Sequence, residues 1–438
     1  MSNRRLLRNI AVTASLAVAA TTLGSAVVSV APLRADEPQA AVSAFDKTLL
    51  EIPDGETTEF YQKRLEVLRT EFRARPSAKP AKNPFPFVDL SPEQRELAPA
   101  IATVRLKLAD NASLTQPQRD EHFRAALDIL SSANDLAALQ TLLAQEKTSY
   151  KAAPNDKTAE RIAFVEQTIV NRRLVSVLQS LSKRYADKPI TRRDPPTLAP
   201  EEEAELRSLG SELVAKVKTV EIPFKPKRAV EDWAPVAVSY LDIYDDIAPQ
   251  IAISFKKELR DVLVGSEDAE RRKIAERLSA EIRREELPGK ELKLEGVLAD
   301  GTELDWESYR GKVVWFQTRP NFGTLTPFAS RKDDPQIAKY KELYAKYSDA
   351  GLAVLEYNNV LKAPPKNVEH SVPEPGYPIL SRRLSAEAKK DYVDFANLYF
   401  LQYYAQAILF DVDGKVVSVR PTADDLEKLL KERFPDVK

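Results

Sequence analysis

The 438-residue chain contains no cysteine, and that absence excludes disulfide bonds, thiolate metal sites, cysteine nucleophiles and dithiol redox centres together. Histidine occurs only as His122 and His370, so a histidine-built metal site is excluded and any metal would have to rest mainly on carboxylates. Glycine is scarce, at 12 residues, which suits a helix-rich chain better than one made of tight turns. Neither sign of charge prevails: 65 Lys and Arg stand against 66 Asp and Glu, interleaved along the sequence. That balance argues against nucleic acid or an anionic membrane surface as a partner. No Gly-rich phosphate loop ending in Lys-Ser or Lys-Thr occurs, and nothing else in the sequence implies a cofactor.

The length predicts two domains plus a targeting segment. Arg4, Arg5 and Arg8 precede an uncharged run from Ile10 to Pro32, rich in Ala, Val, Ser and Thr, and Leu33-Arg34-Ala35 stands before Asp36. A basic start, an apolar run and a small residue at its end are the parts of an export signal. The expectation is a signal peptide over residues 1–35 and a mature chain in the periplasm or outside the cell. An uncleaved N-terminal membrane anchor is the alternative, since the run is long enough to span a bilayer.

Residues 36–90 read as one amphipathic helix and a linker. Thr57 or Thr58 can cap a helix striped by Phe60, Leu65, Leu68 and Phe72, and Pro76, Pro80, Pro84 and Pro86 then force extended chain. Residues 91–287 read as an all-helical domain. Ser91-Pro92-Glu93-Gln94 is a helix start. Phe123, Leu127 and Leu130 share a face, and Leu136, Leu139 and Leu143 share another, entered through Asn134 as cap. Glu201-Glu202-Glu203 opens a helix carrying Leu206, Leu209, Leu213 and Val217, where acidic residues suit the first turn. Glu267 to Glu286 alternates acids and bases, the pattern of a solvated helix face.

The pattern changes at Leu287-Pro288-Gly289. Leu292, Leu294 and Val297 alternate as in a strand, and Val313-Val314-Trp315-Phe316 and Leu352-Ala353-Val354-Leu355 are runs suited to strands buried on both faces. Asp334-Pro335 starts a helix that stops at Gly351, and another helix is expected near Ser385 to Tyr399. Ala407 to Val419 reads as a hairpin turning at Asp413-Gly414, and a last helix follows from Thr422. The fold class expected is α plus α/β: a helical domain, then a mixed sheet flanked by helices over residues 288–438.

Three motifs in that segment occur in a telling order. Asp305-Trp306 with Tyr309-Arg310-Gly311-Lys312-Val313-Val314 comes first, Lys341 to Tyr347 with Gly351 second, and Ile408 to Val417 third. Together they resemble the secreted TlpA and ResA type of thioredoxin-like redoxin, and the helical region resembles, more loosely, the domain that precedes such redoxins in some secreted proteins. The resemblance implies a thioredoxin-like fold and a thiol-disulfide oxidoreductase ancestry. It also implies a Cys-x-x-Cys pair where this chain has Asn321 and Thr324, and a cis-proline opposite the pair where this chain has Ala405. Both halves of the redox site are therefore missing. A non-proline cis peptide costs about 2.5–4 kcal/mol, so the local conformation at Ala405 is expected to be lost as well. Phe322, Tyr403 and Tyr404 adjoin these positions and suggest an aromatic-lined groove.

The remaining constellations read as structural. His370 lies between Glu369 and Ser371 in a Pro-rich stretch with no nucleophile-elbow sequence, and His122 lies in a charged helix start. Asp242, Asp245 and Asp246 lack a calcium-loop pattern and read as a solvated helix face. The sequence thus points to an exported, redox-inactive thioredoxin-like protein that binds another envelope protein or a peptide. The alternative is an enzyme of thiol-disulfide oxidoreductase lineage with a cysteine-free activity.

Overall fold

The structure is a computed structural model. It describes residues 47–76, 90–185, 195–219, 233–319, 335–358, 378–381, 398–399 and 407–437. Two compact units, Met1–Phe255 and Lys256–Lys438, make up the chain.

The first unit is helical. Helix α1 (Thr58–Ala74) is capped by Thr57, whose hydroxyl accepts the Phe60 N–H. Helix α2 (Pro92–Asp110) starts in a capping box: the Gln94 N–H donates to Ser91 Oγ at 3.1 Å, and the Ser91 N–H donates to Gln94 Oε1 at 3.2 Å. Each satisfies a backbone donor that the first turn would leave open. Leu65 and Leu68 of α1 pack on Leu97, Ile101, Val104 and Leu108 of α2. Helices α3 (Gln116–Ala133), α4 (Leu136–Ala152) and α5 (Asp156–Arg184) join through Phe123, Leu127, Leu130, Leu139, Val165 and Ile169. Asn134 does not cap α4. It closes α3 in the left-handed conformation, φ 61°, and Asp135 takes the cap by accepting the Ala138 N–H. Asparagine tolerates that conformation better than other side-chain-bearing residues, so it ends one helix while its neighbour starts the next.

Helices α6 (Pro200–Lys218) and α7 (Trp233–Ile247) continue this unit, and the Tyr244 hydroxyl donates to the Leu206 carbonyl at 3.2 Å. On α7, Asp245 is buried and Asp242 and Asp246 are half-buried, so the expected solvated acidic face is not what forms. At Gly210 a side chain is excluded by packing, since an added Cβ would lie 2.7 Å from Phe255 Cζ and closer to two other ring carbons. Gly210→Ala is expected to destabilise the chain by about 1–3 kcal/mol through overpacking, although alanine is the better helix former by about 1 kcal/mol. Urea unfolding checks this, and a stabilised variant would show that no such close approach exists.

Helix α8 (Pro249–Leu263) runs across the division between the units. In the second unit, helix α9 (Ala269–Glu285) is not the fully solvated face its alternating charges suggested, for Glu281 and Arg284 on it are buried. It is tied to the sheet region by Arg420, which holds both oxygens of Glu285 at 2.9 and 2.7 Å, and by Arg283, whose Nε donates to the Leu398 carbonyl at 3.0 Å.

The sheet comprises β1 (Val297–Leu298), β2 (Val313–Arg319), β3 (Leu352–Asn358), β4 (Ile379–Ser381), β5 (Ala407–Phe410) and β6 (Val416–Ser418), in the order β1-β4-β3-β2-β5-β6. Strands β2, β3 and β4 run parallel, and β5 and β6 add an antiparallel hairpin beside β2. The alternation from Leu292 to Val297 yields only the two-residue β1, because backbone bonds from Gly289 to Val416 and from Leu292 to Gly414 carry that segment along the hairpin instead. Helix α10 (Pro335–Tyr347) connects β2 to β3, and helix α11 (Ala423–Arg433) closes the unit. Both pack on the face of Val313, Trp315, Leu352 and Val354, while Phe316, Tyr357, Ile408 and Phe410 fill the opposite face. Gly351, at φ 131°, admits the turn between α10 and β3, and the Phe434 ring occupies the space where a Cβ would stand. The fold class is α plus α/β, as the sequence predicts.

Candidate functional site

In an open α/β sheet, ligands bind beyond the carboxyl ends of the parallel strands. Here that edge is formed by the ends of β2 and β3 and the start of β5. The motif preceding β2 pins the opposite, N-terminal end of that strand: Asp305 caps the short 3-10 turn Trp306–Tyr309, and the buried Trp306 ring meets Phe410 edge-on at 5.2 Å. Arg310 spans from this turn to Glu291 and the Asp413 carbonyl. Strand β2 therefore starts from a pinned position and runs through the core to its polar end.

At that end Gln317 and Glu356 face each other in register, and Gln317 also pairs with Ala407 of β5. Trp315 Nε1–H donates to Gln317 Oε1 at 3.1 Å, and Gln317 Nε2–H donates to Glu356 Oε1 at 2.7 Å. The amide is 2% exposed and the carboxyl 0%. A buried carboxyl is costly unless hydrogen-bonded, so Gln317 satisfies a group the strand would otherwise bury at a loss. Neither residue of this pair stands out as a site residue in the sequence alone. The one signal the sequence carries is that each polar residue directly follows a four-residue apolar run, Val313–Phe316 and Leu352–Leu355.

The positions the sequence singled out are adjacent in sequence to strands β2 and β5. Asn321, Phe322 and Thr324 follow β2, and Tyr403, Tyr404 and Ala405 precede β5, all outside the described residues. His370 also lies outside them. What the structure places together is the end of β2 and the start of β5, where Gln317 and Ala407 stand opposite each other in antiparallel register. His122 is half-buried on α3, and burial, with Arg105 nearby, pushes its imidazole below the usual range toward the neutral form. Such a histidine packs rather than shuttles protons at neutral pH.

A parallel βαβ unit, then an antiparallel hairpin beside its first strand, then a helix, with β3-β2-β5-β6 adjacent in that order, defines the second unit. This is a thioredoxin-like fold. No family model matches the chain, and no curated protein does. Solved structures do resemble it. The thioredoxin domain of a thiol-disulfide oxidoreductase from Bacteroides vulgatus is 15% identical with a TM-score of 0.26, covering 34% of this chain and 98% of that one. A thiol:disulfide interchange protein DsbE from Chlorobium tepidum is 16% identical with a TM-score of 0.25, covering 34% and 97%. A thioredoxin family thiol:disulfide interchange protein from Chlorobium tepidum TLS is 15% identical with a TM-score of 0.23, covering 33% and 96%. At such identities no chemistry carries over, and the fold rests on strand order and pairing.

The thioredoxin-like unit therefore stands in a chain that holds no cysteine. Gln317 and Trp315 offer hydrogen bonds and no nucleophile. Among the described residues no helix is long and apolar enough to cross a membrane.

Proposed function

We propose that this chain is an exported, redox-inactive thioredoxin-like protein that acts by binding an extended peptide segment of another envelope protein. The observation that carries the reading is the pairing of an intact thioredoxin-like sheet with a chain devoid of cysteine. Two electrons cannot cycle without a thiol pair, whereas a groove beside a sheet end keeps its capacity to bind. The sequence offers Phe322, Tyr403 and Tyr404 as aromatic residues for such a groove, and it has Asn321, Thr324 and Ala405 where the family resemblance implies the redox residues. The helical unit acts as scaffold, and the basic, apolar N-terminus directs export to the periplasm or beyond, with attachment to the membrane only if that segment is retained.

The competing reading, an enzyme of the same lineage with another way to exchange disulfides, is tested with insulin and dithiothreitol. The purified chain is expected to leave the rate of insulin precipitation at that of dithiothreitol alone. Acceleration proportional to protein concentration would contradict the binding reading.

A further inference from the structure

In the helical unit a cavity of about 370 Å³ opens between α1, α2 and α3. Helical spacing decides what faces it. Arg69 and Arg73 stand four residues apart on α1 with Phe72 beside them, Ile101 and Arg105 stand four apart on α2, and Ile129 contributes from α3. The walls thus join an apolar floor to three guanidinium groups, against the single carboxyl of Asp128. Like charges four apart on a helix repel rather than support it. Among the described residues none of these three guanidiniums has a hydrogen-bond or ion-pair partner within 4 Å, although Arg105 senses Glu121 and Asp128 at longer range. Burial first, and Arg69 next, pushes the half-buried Arg105 below its ordinary range. Arg69 and Arg73 are exposed, whereas Arg105 is a half-buried cation in an unfavourable place, and the charge of an anion seated beside it would offset both effects. Arginine is also the residue best shaped to grip a carboxylate or phosphate through two parallel hydrogen bonds.

We propose that this cavity binds a small organic anion whose acidic head sits between Arg69, Arg73 and Arg105 and whose apolar body lies on Phe72, Ile101 and Ile129. Its volume is within the range of about 300–1,000 Å³ usual for small-ligand sites. The requirement is joint: the arginines select charge, and the floor selects an alkyl or aryl group. A short fatty acid and an anionic lipid headgroup both present such a head, so the test separates them.

Sodium decanoate, titrated below its micellar concentration into the full chain by calorimetry, is expected to bind saturably. Decyltrimethylammonium, which keeps the tail and inverts the charge, is expected to bind about tenfold more weakly or less, and Arg105→Gln is expected to weaken decanoate by about tenfold or more. Ala125→Leu, which fills the cavity with its charges intact, is expected to weaken decanoate to a similar degree, and circular dichroism confirms that both variants fold. Inorganic phosphate is expected to bind weakly, since it lacks the apolar body. Absence of saturable decanoate binding would overturn the proposal, as would equal affinity for the cationic amphiphile or indifference to both substitutions. Binding to phosphatidylglycerol vesicles in place of free decanoate would equally overturn it, as attraction to a membrane surface.

Discussion

Replacing Lys256 with methionine is expected to destabilise the second unit by about 3–5 kcal/mol, among the largest losses any single change in this chain should produce. Lys256 and Glu281 are 1% and 3% exposed, and Nζ lies 2.5 Å from Oε2. Arg277 grips the other oxygen of Glu281 at 2.8 Å. Burial pushes the Glu281 carboxyl up, but Lys256 and then Arg277 outweigh it and hold the group well below the usual carboxylate range, at about 2. Without Lys256 the buried carboxylate keeps, among the described residues, the Arg277 guanidinium. Truncating both partners, as Lys256→Met with Glu281→Leu, removes the orphaned charge and is expected to recover most of the loss, since Arg277, 34% exposed, can turn to solvent.

The same network sets a pH dependence. Because the folded form holds the Glu281 proton less tightly than the unfolded chain does, its contribution is fully present above about pH 4.3 and is lost as the pH falls toward 2. Urea unfolding followed by the fluorescence of Trp306 and Trp315 reads both effects. A loss under about 1 kcal/mol in the single variant would show that the pair is not a buried, mutually dependent one.

Phe316→Ala is expected to cost the sheet a comparable amount, about 3–5 kcal/mol. Phe316 is fully buried at the centre of β2, with the Tyr357 ring 6.1 Å away on the neighbouring strand. Dense packing around a central strand leaves little freedom to collapse into the space a ring vacates. The residue also directly precedes Gln317, so the variant is expected to loosen the Trp315–Gln317–Glu356 chain and to weaken any ligand held at that end of the sheet. Thermal unfolding measures the first effect. A change below about 1 kcal/mol would mean the sheet is not packed as described.

What the sequence revealed and concealed follows from the range of each interaction. Thr57 and Ser91 were legible as caps because their partners lie three residues on, and the apolar runs at Val313 and Leu352 identified buried strands because run length alone carries that meaning. Asn134 and Asp135 were confused because both residue types suit a helix start, and only the backbone shows which one turns left-handed. The Lys256–Glu281 pair was hidden because its members lie 25 residues apart among many surface charges of the same kinds. Gln317 and Glu356 lie 39 residues apart, and each taken alone reads as the polar end of a strand. The Arg69, Arg73 and Arg105 cluster was invisible for the same reason, since two helices must pack before its charges meet.

The role proposed for the sheet end is recognition without thiol exchange, and its most direct test is selection of random dodecapeptides displayed on phage against the immobilised full chain. The account predicts enrichment of extended, aromatic- or aliphatic-bearing peptides. Their affinity is expected to fall about tenfold or more in a Phe322→Ala, Tyr403→Ala double variant, since aromatic side chains commonly carry such a share of binding energy at an interface, while its thermal unfolding stays unchanged. Peptides that bind the double variant as well as the parent chain, or a library that fails to enrich at all, would contradict it.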